Sequence, residues 1–289
     1  MTEPDAAAPA GPVDLDALRP WIGREALDED TLSVRHARLM AATLGLAQED
    51  LHVGTPLPPL WHWIYFLEAR PPAELGRDGH PARGGFLPPV PLPNRMWAGG
   101  ELEFHRPLAL GATLRKRSTV RSIEHKRGRS GELVFVAVRH ELIDGGHVAL
   151  TETHDIVYKH PSPPGARVPD APDLPAPQHS ETLQPDATLL FRYSALTFNG
   201  HRIHYDADYC RDVEGYAGLV VHGPLQATLL AGLAQRLAGS PLRRFRYRGL
   251  RPALLGAPLT LHAAAAGDGF TVWSALPDGS VSMQAQAGF

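Results

Sequence analysis

The sequence predicts an α+β fold of two similar units, each an antiparallel sheet wrapped around a helix. Three observations lead there. Strand-like runs separated by turn residues occur in two groups along the chain. A helical pattern of leucines opens directly after a Gly-Pro pair. The segment R-P-L-A-L-G-A-T-L at 106–114 returns as R-P-A-L-L-G-A-P-L at 251–259, with six of nine positions identical at an offset of 145 residues. A length of 289 residues suits two units of about 150 residues each.

Residues 1–13, small and acidic with alanine and proline, are expected to be a disordered tail. The first unit is assigned to 14–160. Its helix candidate runs from Asp30 to Leu44, with Asp28 or Asp30 as N-cap and Gly45 as the stop. Leu60 to Leu67 is apolar and aromatic. There Trp61, His62, Trp63 and Tyr65 suit a core, and their place before a loop also suits a pocket wall. Residues 71–93, rich in proline and glycine, read as a long loop of the kind that carries function or stays disordered. Thr113–Ile123, Glu132–Ile143 and His147–Lys159 form a meander, with turns at Lys126–Gly131 and Asp144-Gly145-Gly146. Seven prolines between Pro161 and Pro177 exclude a helix or a central strand, so 161–185 is expected to be an extended linker. The second unit, 186–289, opens with Leu189–Thr197 as a strand. Gly223–Leu237 follows as a helix with Leu225, Leu229, Leu230 and Leu233 on one face. Arg243–Leu250, Pro258–Ala265, Phe270–Leu276 and Ser280–Ala287 complete it as strands, the last three parted by Gly267-Asp268-Gly269 and Asp278-Gly279.

Composition removes several functions. The formal net charge of -3 lacks the basic field that nucleic acid or an anionic membrane surface requires. One cysteine, Cys210, allows neither an internal disulfide nor a cysteine zinc cage. No apolar run reaches the length of a membrane span, and the N-terminus lacks signal-peptide features. A cytoplasmic protein is the expectation. There is no G-x-G-x-x-G nucleotide loop and no G-x-S-x-G elbow. His52 and His62 have no carboxylate at metal-site spacing, so no metal is expected.

Two segments carry the chemistry. Thr197-Phe198-Asn199-Gly200-His201-Arg202-Ile203-His204-Tyr205-Asp206 mixes small, polar and ionisable residues. Val220-Val221-His222-Gly223-Pro224-Leu225 follows and opens the helix. Proline suits a first helical turn because the N–H it lacks would be orphaned there. The neighbouring backbone N–H groups can receive an oxyanion. One segment therefore offers a histidine for proton transfer, and the other a donor for a carbonyl oxygen.

F-N-G-H-R-I-H-Y-D followed by V-V-H-G-P-L resembles the MaoC-like hot-dog hydratases and dehydratases. It is most similar to the two-hot-dog branch, with a FAS1-like dehydratase N-terminal half, that contains mesaconyl-C4-CoA hydratases and 3-hydroxyacyl-thioester dehydratases. The resemblance covers most of the chain from about Trp21 and includes Pro93-Asn94-Arg95-Met96-Trp97-Ala98-Gly99-Gly100-Glu101. It implies a tandem hot-dog fold in which the first unit accommodates acyl group and CoA while the second supplies catalysis. The family motif G-D-x-N-P-L-H, with catalytic Asp and His, falls with its His on His204 and its Asp on Asn199. Its middle Asn falls on His201 and its Pro on Arg202. An amide in place of a carboxylate can orient water but not take a proton. Asp206 and Asp208 are the candidates to replace it, from a different backbone position.

The resemblance implies cofactor-free, reversible hydration of a 2-enoyl-CoA (dehydration of the 3-hydroxyacyl-CoA), with a short branched or dicarboxylic C5 acyl-CoA such as mesaconyl-C4-CoA or itaconyl-CoA as the expected substrate. His204, Asn199 and Gly223 are then the catalytic candidates. His201, Arg202 and His222 are substrate-binding candidates, joined by Arg95 and Trp97; an arginine fork would suit a substrate carboxylate. Arg115, Lys116 and Arg117, with Lys126, Arg127 and Arg129, read as a solvated sheet face and turn. The family also implies pairing of sheet edges into a homo-oligomer, expected to be a dimer. A hot-dog acyl-CoA thioesterase and a non-catalytic acyl-CoA-binding protein are the alternatives.

Overall fold

The computed structural model describes residues 12–128, 131–160 and 172–289. Most of the expected tail, the turn residues Arg129 and Ser130, and the linker up to Ala171 therefore lie outside the described residues. The first half contains α1 (Leu15–Leu18), β1 (Glu25–Thr31), α2 (Val34–Leu44), a 3-10 turn at Trp61–Ile64, β2 (Asn94–Phe104), β3 (Thr113–Gly128), β4 (Gly131–Asp144) and β5 (His147–Lys159). The second contains β6 (His179–Leu183), α3 (Ala187–Leu196), α4 (Ala207–Tyr209), α5 (Gly223–Ala238), β7 (Arg244–Gly249), β8 (Leu259–Ala266), β9 (Gly269–Ala275) and β10 (Val281–Gly288).

All ten strands form one antiparallel sheet in the order β1-β3-β4-β5-β2-β7-β10-β9-β8-β6. Each half reads the same outward from the β2–β7 join, so the order itself displays the duplication. Its trace in sequence has an exact backbone counterpart. Leu57 N–H donates to Leu108 O and Leu110 N–H to Thr55 O in one half; Val221 N–H donates to Ala253 O and Leu255 N–H to Leu219 O in the other. Gly111 and Gly256 close these turns at φ 88° and 86°, a left-handed conformation that glycine adopts without a Cβ penalty.

The halves differ at the centre of the sheet's covered face. In the second half α5 packs on β7 to β10 and buries Leu225, Leu230 and Leu233. In the first half the corresponding position holds only the single turn Trp61–Ile64. Val138, His140, His154 and Ile156, on one face of β4 and β5, line a cleft instead.

Three local expectations change, and a fourth difference is a strand to which the sequence reading assigned no element. Leu189–Thr197 is helix, not strand. Asp186 caps it by accepting from Leu189 N–H, and Leu189, Leu190, Tyr193 and Leu196 are buried at helical spacing. Asp30 does not cap α2; it lies in β1, where its carboxylate accepts from Phe66 N–H, and Ser33 occupies the N-cap. Gly45 does end α2, with φ 68°. The third change is β6, a strand inside the stretch read as linker. The fourth is β2, hidden in sequence by Gly99-Gly100. These glycines bring strands into close approach: a Cβ on Gly99 would lie 2.6 Å from Tyr247 O, and one on Gly100 would lie 2.5 Å from Thr153 O.

Candidate active site

A cleft of about 970 Å³ runs between the halves. Its walls come from the 71–93 loop, β2, β4 and β5 of the first half, and from the 199–204 and 220–226 segments of the second. The second half has a long connection, residues 197–219, between α3 and the bridge at Val220. The first half has only 45–55 at the corresponding place. That longer excursion carries Asn199, His201 and His204.

His204 ends a 3-10 turn at Arg202–His204 and is 7% exposed. Its Nδ1–H donates to Val220 O at 2.7 Å. A carbonyl only accepts, so the proton is fixed on Nδ1 and Nε2 is left with a lone pair. Burial pushes the imidazole pKa down to about 4, partly opposed by the Val220 hydrogen bond, so the ring is neutral at physiological pH. Gly223 lines the same cleft as the first residue of α5. Its N–H has no intrahelical acceptor, and the helix dipole adds positive potential there.

The other candidates divide. Asn199 lines the cleft, but its Oδ1 accepts from His201 N–H at 2.9 Å, an Asx turn that leaves the amide NH2 as its free group. His201 lines the cleft and packs edge-on to His204, with ring centroids 5.5 Å apart. His222 is fully buried behind His204 rather than on the cleft wall. Its ring stacks on His204 at 3.6 Å and 19°, and its Nε2 shares a hydrogen bond with Ser194 Oγ. Burial holds its pKa well below the ordinary histidine value, so it gives His204 a neutral, fixed backing rather than a contact to substrate. Arg202 also lies outside the cleft wall, bound by Asp206 and stacked 4.3 Å over Tyr209. Arg95 and Trp97 do line it, adjacent on one face of β2.

Neither Asp206 nor Asp208 supplies a carboxylate. Asp206 is consumed by Arg202 and by the Tyr209 N–H it caps, and Asp208 pairs with Arg211 at the surface. None of Trp61, His62, Trp63 and Tyr65 lines this cleft; they pack in or against the core, and Trp61 also borders a separate pocket. His62 Nε2 and Trp63 Nε1 donate to Glu152 at 3.0 and 2.8 Å, and His154 Nε2 donates to it at 2.6 Å. His62 thus has a carboxylate partner that sequence spacing did not reveal. Burial alone would raise the Glu152 carboxyl, but the two imidazoles hold it well below the usual range. His154, and His140 beside it at 4.6 Å, present this network to the cleft. Cys210 is buried, with its thiol donating to Ile203 O.

Sequence reasoning also missed Asp78 and His80 on the 71–93 loop. His80 Nδ1–H donates to Asp78 Oδ2 at 3.2 Å, and the His80 ring lies 4.2 Å from that of His201. One ligand atom each from Asp78, His80 and His201 fall within 4.8 Å of one another, close enough for a metal ion. The Arg95 guanidinium, 3.9 Å from the same Asp78 oxygen, makes the place unfavourable for a cation.

This two-half sheet, with a buried neutral histidine beside a helix N-terminus, is that of the double-hotdog hydro-lyases. The chain belongs to the hydroxyacyl-thioester dehydratase type 2 family, whose model matches residues 60–255. It is 44% identical over 268 residues to the mesaconyl-C(4)-CoA hydratase of Chloroflexus aurantiacus, covering 92% of this chain and 95% of that protein. It is 29% identical to the mitochondrial hydroxyacyl-thioester dehydratase type 2 of Schizosaccharomyces pombe, over 72% of this chain and 77% of that one. Two solved structures share the fold. A MaoC-like dehydratase from Phytophthora capsici has a TM-score of 0.71 at 16% identity, over 96% of this chain and 99% of that chain. A double-hotdog protein of Mycobacterium tuberculosis has a TM-score of 0.58 at 16% identity, over 96% and 98%.

Proposed function

We propose that this chain reversibly adds water across the 2,3 double bond of an enoyl-CoA, with mesaconyl-C4-CoA as the substrate class and itaconyl-CoA as a related one. The observation that carries the reading is the neutral His204, its Nδ1–H committed to Val220 O, in one cleft with the free N–H of Gly223. In the hydration direction the thioester oxygen takes a hydrogen bond from Gly223 N–H. Water oxygen bonds to C3 while its proton passes to His204 Nε2. The electron pair of the double bond moves to the thioester, where Gly223 stabilises the enolate charge. A proton delivered to C2 from the same site then restores the carbonyl. No step draws on a cofactor or a metal. We read the protein as cytoplasmic; among the described residues no helix is long and apolar enough to cross a membrane. We also read it as a homodimer: among the described residues the sheet ends in two edge strands, β1 and β6, each paired with a strand on one side only.

The test is loss of enoyl-thioester absorbance with mesaconyl-C4-CoA and crotonyl-CoA. Release of free CoA instead would make the chain a thioesterase, and binding with neither change would make it a carrier of acyl-CoA. Because His204 acts as a base only when unprotonated, kcat/KM is expected to hold from neutral into mildly acid solution and to fall as pH drops through about 4. A fall centred on the ordinary histidine value of 6.5 would contradict this environment for the ring.

Arg95, mostly buried at 12% side-chain exposure and held only loosely by Asp78 at 3.9 Å, is placed to receive a substrate carboxylate. A charge-assisted hydrogen bond contributes about 1.5–3 kcal/mol. Arg95→Met is therefore expected to weaken kcat/KM for mesaconyl-C4-CoA by about 10- to 100-fold and to leave crotonyl-CoA nearly unchanged. Equal losses on both substrates would remove Arg95 from specificity.

A further inference from the structure

The hydration reading leaves one chemical gap. A proton that moves onto His204 creates an imidazolium in a buried place, and burial disfavours that charge. Asn199 cannot accept a proton and is held in its own turn. His201 and His222 beside it bring no negative charge. Among the described residues, the carboxylate that reaches this imidazole cluster comes from the other half of the molecule.

That carboxylate is Asp78. The 71–93 loop crosses to the catalytic segment and is locked there: Arg202 N–H donates to Asp78 O at 2.9 Å. Gly79 and Gly200 meet backbone to backbone so closely that a Cβ on Gly79 would lie 1.9 Å from Gly200 O. Asp78 accepts from both the backbone N–H and the Nδ1–H of His80. The His80 proton is thereby assigned to Nδ1, and Nε2 keeps a lone pair. His80 lines the cleft with His201 and His204. Charged groups also face this pair: Arg95 borders the Asp78 carboxylate at 3.9 Å, and Arg83 lies close enough to act on His80. Arg83 is itself tied down, donating to the carbonyls of Val90, Leu92 and Pro93.

We propose that the first half contributes to catalysis through this loop: His80 is the second acceptor for the reacting water, and Asp78 is the positioning residue that orients it. In the balanced step, one water hydrogen is bonded to His80 Nε2 and the other to His204 Nε2. The C3–O bond forms as the proton on the His204 side leaves. The positive charge rests on His204 until the proton goes to C2, and Asp78, bonded to His80 and within reach of His201, supplies the negative charge of the cluster. Each half of the duplicated fold thus holds one side of the water. This proposal rests on the hydration reading of the same cleft.

The experiment measures steady-state hydration of crotonyl-CoA by the full chain and by Asp78→Asn, Asp78→Glu and His80→Gln, with circular dichroism confirming the fold. General acid–base groups typically contribute about 10²–10⁴-fold. Asp78→Asn and His80→Gln are expected to lower kcat by about 10²-fold, with KM changing little, and Asp78→Glu is expected to recover most of that loss. Retention of kcat in either of the first two variants, or a loss confined to KM, would overturn the proposal. If Asp78→Asn does not fold, the His80→Gln result decides. Stoichiometric metal in the purified protein that is lost in Asp78→Asn would also overturn it, making the cluster a metal centre. A wild-type chain that hydrates neither crotonyl-CoA nor mesaconyl-C4-CoA would fail the functional reading itself. An active wild type with unimpaired variants would fail this inference alone.

Discussion

Replacing His204 by alanine is expected to lower turnover more than a hundredfold while the protein stays folded. The chemical loss follows from position. His204 Nε2 is the nitrogen left free by the Val220 hydrogen bond, and the ring lines the cleft that also holds Gly223. Removing a general base typically costs about 10²–10⁴-fold. The oxyanion donor and the substrate contacts survive, so residual activity above the uncatalysed rate is expected. The fold should tolerate the change. The side chain sits at the cleft wall, and the segment is tied down independently by Val220 N–H to Ile203 O and Arg202 N–H to Asp78 O. Losing the Val220 hydrogen bond costs about 1–3 kcal/mol. Kinetics on crotonyl-CoA and mesaconyl-C4-CoA, with a thermal melt, check both halves of the statement. Near-normal turnover would move the base elsewhere.

Replacing Glu152 by alanine should act mainly on stability. Its carboxylate is 2% exposed and accepts from His62, Trp63 and His154. Removing one member of a buried ionic group typically destabilises by about 3–5 kcal/mol, and here it leaves His62, 4% exposed, without its acceptor. Urea unfolding at neutral pH is expected to show a loss of that size, and a loss under about 1 kcal/mol would mean that solvent reaches the site. Glu152→Gln keeps the shape and one acceptor oxygen, so it should fall between. The pH dependence has a definite sign. The folded-state pKa of Glu152 lies well below its ordinary value of 4.5. Its contribution is therefore fully present above that value and is lost as pH falls toward the folded-state pKa. The gap between wild type and Glu152→Ala should narrow in acid.

The two networks also separate the halves by chemistry. Counting from the matched bridges at Pro56 and Val220, His62 and Gln226 occupy equivalent places. Each reaches down to the sheet, His62 to Glu152, and Gln226 to the hydroxyls of Ser274 and Ser282. The first half is ionic where the second is neutral, although both arose on the same backbone plan.

What was legible in sequence follows from how local each signal is. The helix from Gly223, the meander and the Asp144-Gly145-Gly146 turn depend on neighbours a few residues apart. The His204 and Gly223 segments were legible as motifs for the same reason. Leu189–Thr197 misleads because its dense apolar content fits either period, and Asp186, which caps it, lies just outside the segment. β1 is invisible because it is an edge strand with mostly exposed residues, so it carries no alternating apolar pattern. Arg202 and His222 share the catalytic motif, yet one is taken by Asp206 and the other buried by packing, and spacing cannot encode either outcome.

By itself, the sequence determined the duplicated α+β plan and the candidate base beside a helix N-terminus, because repeat, periodicity and motif are written along the chain. Tertiary structure alone decided which charges meet. Asp78 comes to His201 from 123 residues away, and Glu152 meets His62 across a separation of 90. The Glu152 pairing forms within the first half, where the Trp61–Ile64 turn meets β5, and the Asp78 pairing forms only when the 71–93 loop of that half lies over the other half's site. Burial then sets the electrostatics: the same imidazole that would titrate near 6.5 in water is held neutral down to about 4 once the cleft wall forms around it.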